Sequence, residues 1–174
     1  AFDENDPRTP LTLNRGERRV LKYVVDGDTR DGAVASVNNH RIIRYADVLL
    51  MKAEAILQSN GSAAEAVDLI NEVRTRARTM GGGAIPANLD NGEMNKETIM
   101  QWIMNERFVE LAAEGHRWFD IRRWHLAGLI TPNNAFFSSN NDADMKFDEH
   151  FLYFPIPTSE TDVKPNIVQN PGYN

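Results

Sequence analysis

Between Arg41 and Gly83 the apolar positions recur with the period of a helix. Ile43, Ala46, Leu49, Leu50, Ala53, Ile56 and Leu57 lie three or four residues apart and form one stripe, which predicts a helix with one buried face. Asn60-Gly61 interrupts the pattern. Ser62, followed three residues later by Glu65, has the form of a capping box that starts a second helix. Ala66, Leu69, Ile70, Val73 and Ala77 make its inward face, and Gly81-Gly82-Gly83 ends it. Two helices joined by so short a break predict a helical hairpin over residues 41–83.

From about Lys96 the pattern changes. Stepping at about 100° per residue from Ile99 puts Trp102, Ile103, Glu106, Arg107, Glu110 and Glu114 on one side of a helix. Met100, Met104, Phe108 and Leu111 cover the other, while Val109 and Ala113 flank the first. No broad face is purely polar, and a helix apolar nearly all round is a buried one. Carboxylates and guanidiniums are therefore expected to be buried together, and buried ions persist only when paired and hydrogen-bonded. Arg107 with Glu110, Glu114 with Arg117, and Asp120 with Arg123 stand three apart and are the predicted pairs. Arginine suits the task because its flat fork offers a carboxylate two donors at once. Gly115 is the predicted left-handed cap. A shorter helix over Arg117–Ala127 follows, with Trp118, Phe119 and Trp124 packed against its neighbours. The whole segment, Glu106–Trp124, reads as a structural keystone.

The remaining chain is less regular. Residues 1–40 form an irregular lead-in with turn-like Asp6-Pro7-Arg8 and Thr9-Pro10, and Arg19–Val25 has the composition of one short strand. Residues 84–95 and 128–150 read as loops. Phe151–Phe154, followed by Pro155-Ile156-Pro157, is expected to pack as an extended strip, and the tail through Tyr173 to fold back onto the helices. The fold class is thus all-α with few or no strands, in one domain over 1–174: lead-in 1–40, hairpin 41–83, keystone helices 95–127, and loops with a packed tail over 128–174. Small-then-large pairs in the hairpin, Ala53 with Ile56 and Ala66 with Ile70, resemble one degenerate tetratricopeptide unit.

Composition narrows the function. The chain has 174 residues with 41% apolar content, enough for one ordinary core. A net charge of −6 and a pI near 5.2 argue against a nucleic-acid surface, which needs clustered Lys and Arg. No apolar run approaches the roughly 20 residues needed to span a bilayer. The start, Ala-Phe-Asp-Glu-Asn-Asp, lacks the apolar core of a signal peptide, and its abrupt polar opening reads as the end portion of a longer protein. The absence of Cys excludes disulfides, thiol nucleophiles and zinc–thiolate sites.

Glu106, Glu110 and Glu114 stack on one face, and glycosidases set two carboxyls about 5–10 Å apart. Nearby Arg107, Arg117 and Arg123, however, would lower a carboxyl pKa, whereas a general acid needs it raised. A hydrolase using Glu110 or Glu114 with Asp120 is the catalytic alternative, and the structural reading is preferred. His116, Asp120 and His125 lack metal-ligand spacing, and His40 and His150 carry no pattern. No cofactor is expected. There is no Gly-x-Ser-x-Gly, and the glycine triplet lacks the Lys-Ser/Thr of a phosphate loop. Trp102, Trp118 and Trp124 fall on packing faces. Phe136 and Phe137, in an Asn-rich loop, are the candidates for ligand contact, although loop phenylalanines more commonly anchor their own loop.

Several motifs resemble one family in the right order. Arg44-Tyr45-Ala46-Asp47-Val48-Leu49-Leu50-Met51-Lys52-Ala53-Glu54-Ala55 resembles the signature helix of the SusD/RagB family, and Ile70-Asn71-Glu72-Val73-Arg74-Thr75-Arg76-Ala77 its next helix. Asn105-Glu106-Arg107, Glu110-Leu111 and Glu114–Trp124 resemble its most recognisable motif. Pro155-Ile156-Pro157 and Gln169-Asn170-Pro171-Gly172-Tyr173 complete the order over residues 41–174. Asp6-Pro7-Arg8 fits the same family.

The resemblance implies a mostly helical, tetratricopeptide-like framework from surface lipoproteins of Bacteroidetes. Such proteins bind glycans or other nutrients and cap a SusC-like, TonB-dependent transporter in the outer membrane, without catalysis. The chain resembles only the C-terminal part. It lacks the lipidated Cys, so membrane contact is expected only through an anchor outside this chain. The implied partners are the transporter and an oligosaccharide or other nutrient. The expected structural ion network comprises Arg44, Glu54, Glu106, Arg107, Glu110, Glu114, Arg117, Asp120 and Arg123. A helical-repeat adaptor binding a peptide is the third reading.

Overall fold

Three helices carry the apolar periodicity, and they pack on one another: α2 (Tyr45–Gln58), α3 (Ala63–Gly81) and α4 (Lys96–Glu110). The computed structural model describes residues 2–23, 39, 41–132, 147–164 and 166–173. Phe136, Phe137 and His40 lie outside the described residues. Ahead of the three helices stand α1 (Arg8–Thr12) and a two-residue antiparallel ladder, β1 (Leu13–Asn14) with β2 (Arg19–Val20), in which Leu13 faces Val20. The fold is all-α as expected, with this one ladder among the described residues. β2 occupies the first two residues of the predicted strand Arg19–Val25, whose last two lie outside the described residues, and β1 is not predicted by the sequence pattern. No described helix is long and apolar enough to cross a membrane.

The chain divides into two compact units, Ala1–Arg117 and Trp118–Asn174. In the first, Leu50, Ala53, Leu57, Ala66, Val67, Ile70, Val73, Ala77, Ile99 and Ile103 are buried between α2, α3 and α4. Each large aliphatic side chain removed from water contributes about 1.5–3 kcal/mol. The fully buried Ala53, Ala66 and Ala77 leave room for the helices to approach. Ser62 caps α3 by accepting from the Glu65 amide at 3.2 Å. The reciprocal half of the capping box is not made, because Glu65 reaches Lys52 at 3.0 Å instead. The loop after α3 is held by polar anchors: Asn71 exchanges two hydrogen bonds with the Leu89 backbone, at 2.7 and 3.0 Å, and Arg78 donates to the Pro86 carbonyl at 2.6 Å. At the end of α3, a Cβ on Gly81 would sit 2.6 Å from Pro7, so the lead-in lies directly against this helix.

Two expectations for this unit change. Ile43 is 65% exposed, because α2 begins only at Tyr45 and leaves it outside the stripe. The keystone helix stops at Glu110 rather than at Gly115. Its last carbonyls are taken by side chains: Glu110 O accepts from Arg44 Nη2 at 2.9 Å and Lys22 Nζ at 2.6 Å, and Ala112 O accepts from Lys22 at 3.3 Å. Carbonyls at a helix end lack intrahelical partners and attract cations. The turn beyond uses left-handed backbone at both Ala113 and Gly115.

The second unit is built on α5 (Arg117–Leu126), whose first residue lies at the boundary. Asp120, Ile121 and Trp124 are buried, with Leu152 from a 3-10 turn at Glu149–Leu152. Phe119 is 58% exposed rather than packed, because it points off the buried face that Ile121 and Trp124 define. Arg122 Nε donates to the Leu152 carbonyl at 2.5 Å. A short helix α6 (Thr158–Thr161) follows. The expected extended strip is therefore partly a 3-10 turn, and Phe154 is exposed. The tail folds onto this 150–156 segment. Gln169 closes both backbone groups of Ile156 at 2.8 Å, Asn170 donates to the Phe154 carbonyl at 2.7 Å, and Tyr173 OH donates to the Tyr153 carbonyl at 2.9 Å. Gly172, at φ +86°, leaves no room for a Cβ against His150.

Candidate functional site

Helical spacing sets Glu106 and Glu110 one turn apart on α4, and Glu114 follows in the turn beyond. Their side chains are 3%, 2% and 5% exposed. Carboxylates so buried need cations, and the cations come from the lead-in, α2 and α3. Arg8 Nη1 donates to Glu106 at 2.5 Å and to Glu110 at 3.1 Å, while its Nε and Nη2 hold Asp6 at 3.0 and 2.7 Å. Arg44, at the start of α2, forks onto Glu114 with two bonds of 2.7 Å and reaches Glu110 at 2.9 Å. Arg74 binds Glu106 at 2.8 Å. Arg76 Nη2 sits 2.6 and 2.7 Å from the two oxygens of Glu110. Lys22 pairs with Glu114. Glu110 therefore receives four hydrogen bonds, which fills the acceptor capacity of one carboxylate.

This wiring differs from the predicted neighbour pairs. Arg107 donates to Asp47 at 2.7 Å, and Glu110 is held by Arg8, Arg44 and Arg76. Glu114 takes Arg44 and Lys22, while Arg117 lies over the Phe108 ring at 4.7 Å. A guanidinium tethered three residues away along the chain cannot compete with one arriving end-on from a facing element with both prongs aligned. Asp120 and Arg123 do meet, at 3.0 Å, with Asp120 buried and Arg123 partly exposed. Glu54 is buried on α2. No buried side-chain nitrogen or oxygen among the described residues lacks a partner.

The electrostatics follow from the partners. Burial alone would raise the Glu114 carboxyl, but hydrogen bonds from Arg44 and Lys22 outweigh it and hold its pKa below the usual value. Asp6 is likewise lowered, with Arg8 overcoming the penalty of burial. Burial alone would lower Arg8 and Arg44, yet Asp6 and Glu106 raise the first and Glu114 and Glu110 raise the second. Lys22 goes the other way, because burial and the nearby Arg44 push it down more than Glu114 lifts it. A general acid needs a raised carboxyl, so the shifts of Glu114 and Asp6 run against that role.

Beside the network lies a cavity of about 460 Å³. Among the described residues, Arg8, Lys22, Arg41, Arg44 and Arg76 line it against the single carboxylate of Glu110, with Tyr23 and Tyr45 among its other walls. Arg41 rests over the Tyr23 ring at 4.7 Å.

Elsewhere, His125 lies 3.9 Å from Glu149, and His150 Nδ1 lies 2.7 Å from Asp148. No cluster of metal-ligating side chains occurs among the described residues. Trp124 is 1% exposed, and Trp102 and Trp118 are half-buried. Sequence reasoning missed Arg8, Lys22, Arg74 and Arg76 as members of the network. A signal existed for three of them, since Asp6-Pro7-Arg8 and the segment Ile70–Ala77 belong to the matched motifs. Lys22 had none.

Comparison with known proteins gives a consistent set of relatives. A model of the SusD family matches residues 3–173. The SusD-like protein P2 of Formosa agariphila is 36% identical over 99% of this chain and 33% of its own length. The SusD-like protein P38 of the same organism is 31% identical over 73% of this chain and 28% of its length. The solved structure of surface glycan-binding protein A from Bacteroides uniformis is 32% identical, with a TM-score of 0.54 over 76% of this chain and 28% of that one. The chain thus spans about a third of the length of the relatives it matches.

Proposed function

The chain belongs to the SusD family, and from that premise we propose that it is the scaffold region of a non-catalytic glycan- or nutrient-binding protein. In this reading the protein works on the outer face of the outer membrane, as the binding component of an uptake complex with a SusC-like, TonB-dependent transporter. The observation that carries the reading is the relationship along nearly the whole chain to a SusD-like protein, joined by the fold shared with a surface glycan-binding protein. The ion network supports it. Its acids are occupied by guanidiniums that join α1, α2, α3 and α4, which is the arrangement of a frame rather than of a catalyst.

Affinity electrophoresis of the full-length protein through gels containing a panel of polysaccharides tests the binding role. Retardation by at least one glycan without its breakdown is expected. Breakdown that is lost in Glu110→Gln would overturn the non-catalytic reading. Purification of the tagged protein from outer membranes tests the partner, and a large TonB-dependent receptor should accompany it.

A further inference from the structure

The ion network does not balance. Among the described residues, Asp6, Glu106, Glu110 and Glu114 bring four negative charges and Arg8, Lys22, Arg44, Arg74 and Arg76 five positive ones, and Arg41, outside the network but lining the same cavity, adds a sixth. This local excess of two cations arises in a chain of net charge −6, and it is concentrated on one cavity. The cations there are not equivalent. Arg8 and Arg44 spend their donors inside the network. Arg76 uses only Nη2, on Glu110, and its side chain is 48% exposed, so Nε and Nη1 have no acceptor among the described residues. Arg41 stacks on Tyr23 and makes no hydrogen bond to a described residue.

Like charges gathered around one cavity repel one another; Lys22 is lowered chiefly by its burial, with Arg44 adding to the effect. An anion placed there would receive unspent, forked donors at little reorganisation cost. The aromatic walls add chemistry that a simple anion does not need. Tyr45 is 69% exposed, and the ring of Tyr23 is already oriented by Arg41. Tyrosine faces stack on the apolar faces of sugars, and a cavity of about 460 Å³ has the size of a small-molecule site.

We propose that this cavity is a subsite for an acidic glycan, in which Arg41 and Arg76 bind the carboxylate or sulfate of one sugar unit while Tyr23 and Tyr45 flank its ring. The proposal rests on the glycan-binding reading above and adds the charge class of the ligand. It requires no covalent step and leaves the buried frame intact, since neither Arg41 nor the free half of Arg76 belongs to it.

The test is calorimetric titration of the full-length protein with three probes of matched length: an oligogalacturonate, a sulfated galacto-oligosaccharide and a neutral gluco-oligosaccharide. Binding of one of the first two is expected, and which one identifies the anionic group. That affinity should fall about tenfold or more in Arg41→Gln/Arg76→Gln, and should weaken steeply as salt rises. Arg41→Glu is the second variant. It touches no network member and should abolish acidic-glycan binding with an unchanged Tm. Acidic-glycan binding that persists in both variants overturns the assignment of the cavity. Binding of the neutral probe alone overturns the charge class and leaves the glycan-binding reading standing. Binding of none of the three overturns both.

Discussion

Arg44 and Glu110 are 66 positions apart in sequence, yet the guanidinium holds both the carboxylate of Glu110, at 2.9 Å, and its backbone carbonyl, also at 2.9 Å. One side chain thereby neutralises a buried acid and satisfies the end of α4. The start of α2 and the end of α4 are locked to each other through charge, with the apolar core supplying the rest of the contact.

Removing that acid should be severe. Glu110→Ala leaves Arg8, Arg44 and Arg76 facing a hole, and breaking a buried pair on one side costs about 3–5 kcal/mol. For a chain of this size the Tm should fall by roughly 10 °C or more. Calorimetry of wild type and variant measures it. An unchanged Tm would mean that the carboxylate is in contact with water.

Arg8 ties the lead-in to α4 through charge. Arg8 binds Asp6 within its own segment and Glu106 and Glu110 on α4. Arg8→Ala should therefore release residues 2–12 while α2, α3 and α4 stay assembled through their apolar core. Limited proteolysis should cut there at least about tenfold faster than in wild type, since the open population follows the lost free energy. Equal cleavage rates would show that the contacts of Pro7 with Gly81 and of Phe2 with Phe108 hold the segment without it.

Acid should unlock the network. The Glu114 and Asp6 carboxyls have folded values below their ordinary 4.5 and 3.8. A depressed carboxyl adds stability that is complete above its unfolded value and is lost as pH falls through the folded one. Tm should thus be level from pH 7 to about 5 and decline below about 4.5. Glu114→Gln should start lower and show a shallower acid decline. Parallel curves for the two proteins would assign the acid sensitivity to other groups.

The tail is fastened by an amide. Gln169 replaces a strand partner for Ile156, taking its N–H and giving to its C=O, both at 2.8 Å. Gln169→Ala removes both hydrogen bonds to Ile156, worth about 1 kcal/mol each, along with the one that Gln169 accepts from the Asn170 amide. Amide exchange at Ile156 should accelerate roughly tenfold or more, as read by hydrogen exchange. Unaltered exchange would mean that Asn170 and Tyr173 suffice.

Local patterns were legible in the sequence wherever the forces are local. The apolar stripe of α2 and α3, the Ser62 cap and the lack of a purely polar face on α4 follow from periodicity and side-chain chemistry within one or two turns. Even the burial of Glu106 and Glu110 could be inferred, because α4 has no wholly polar face to expose them on. Family motifs added that these positions belong to a frame.

Tertiary structure alone decided which cation meets which acid. Spacing along one helix names only neighbours, so it offered Arg107 to Glu110 and Arg117 to Glu114. The folded chain instead brings Arg8, Arg44, Arg74, Arg76 and Lys22 from elements far away in sequence. Those cations arrive with better geometry than a residue tethered three positions away, and they also end α4 a turn early by taking its carbonyls. The surplus of positive charge that the described residues place around the cavity has the same origin. It is a property of which elements converge, and the chain's overall charge of −6 gives no hint of it.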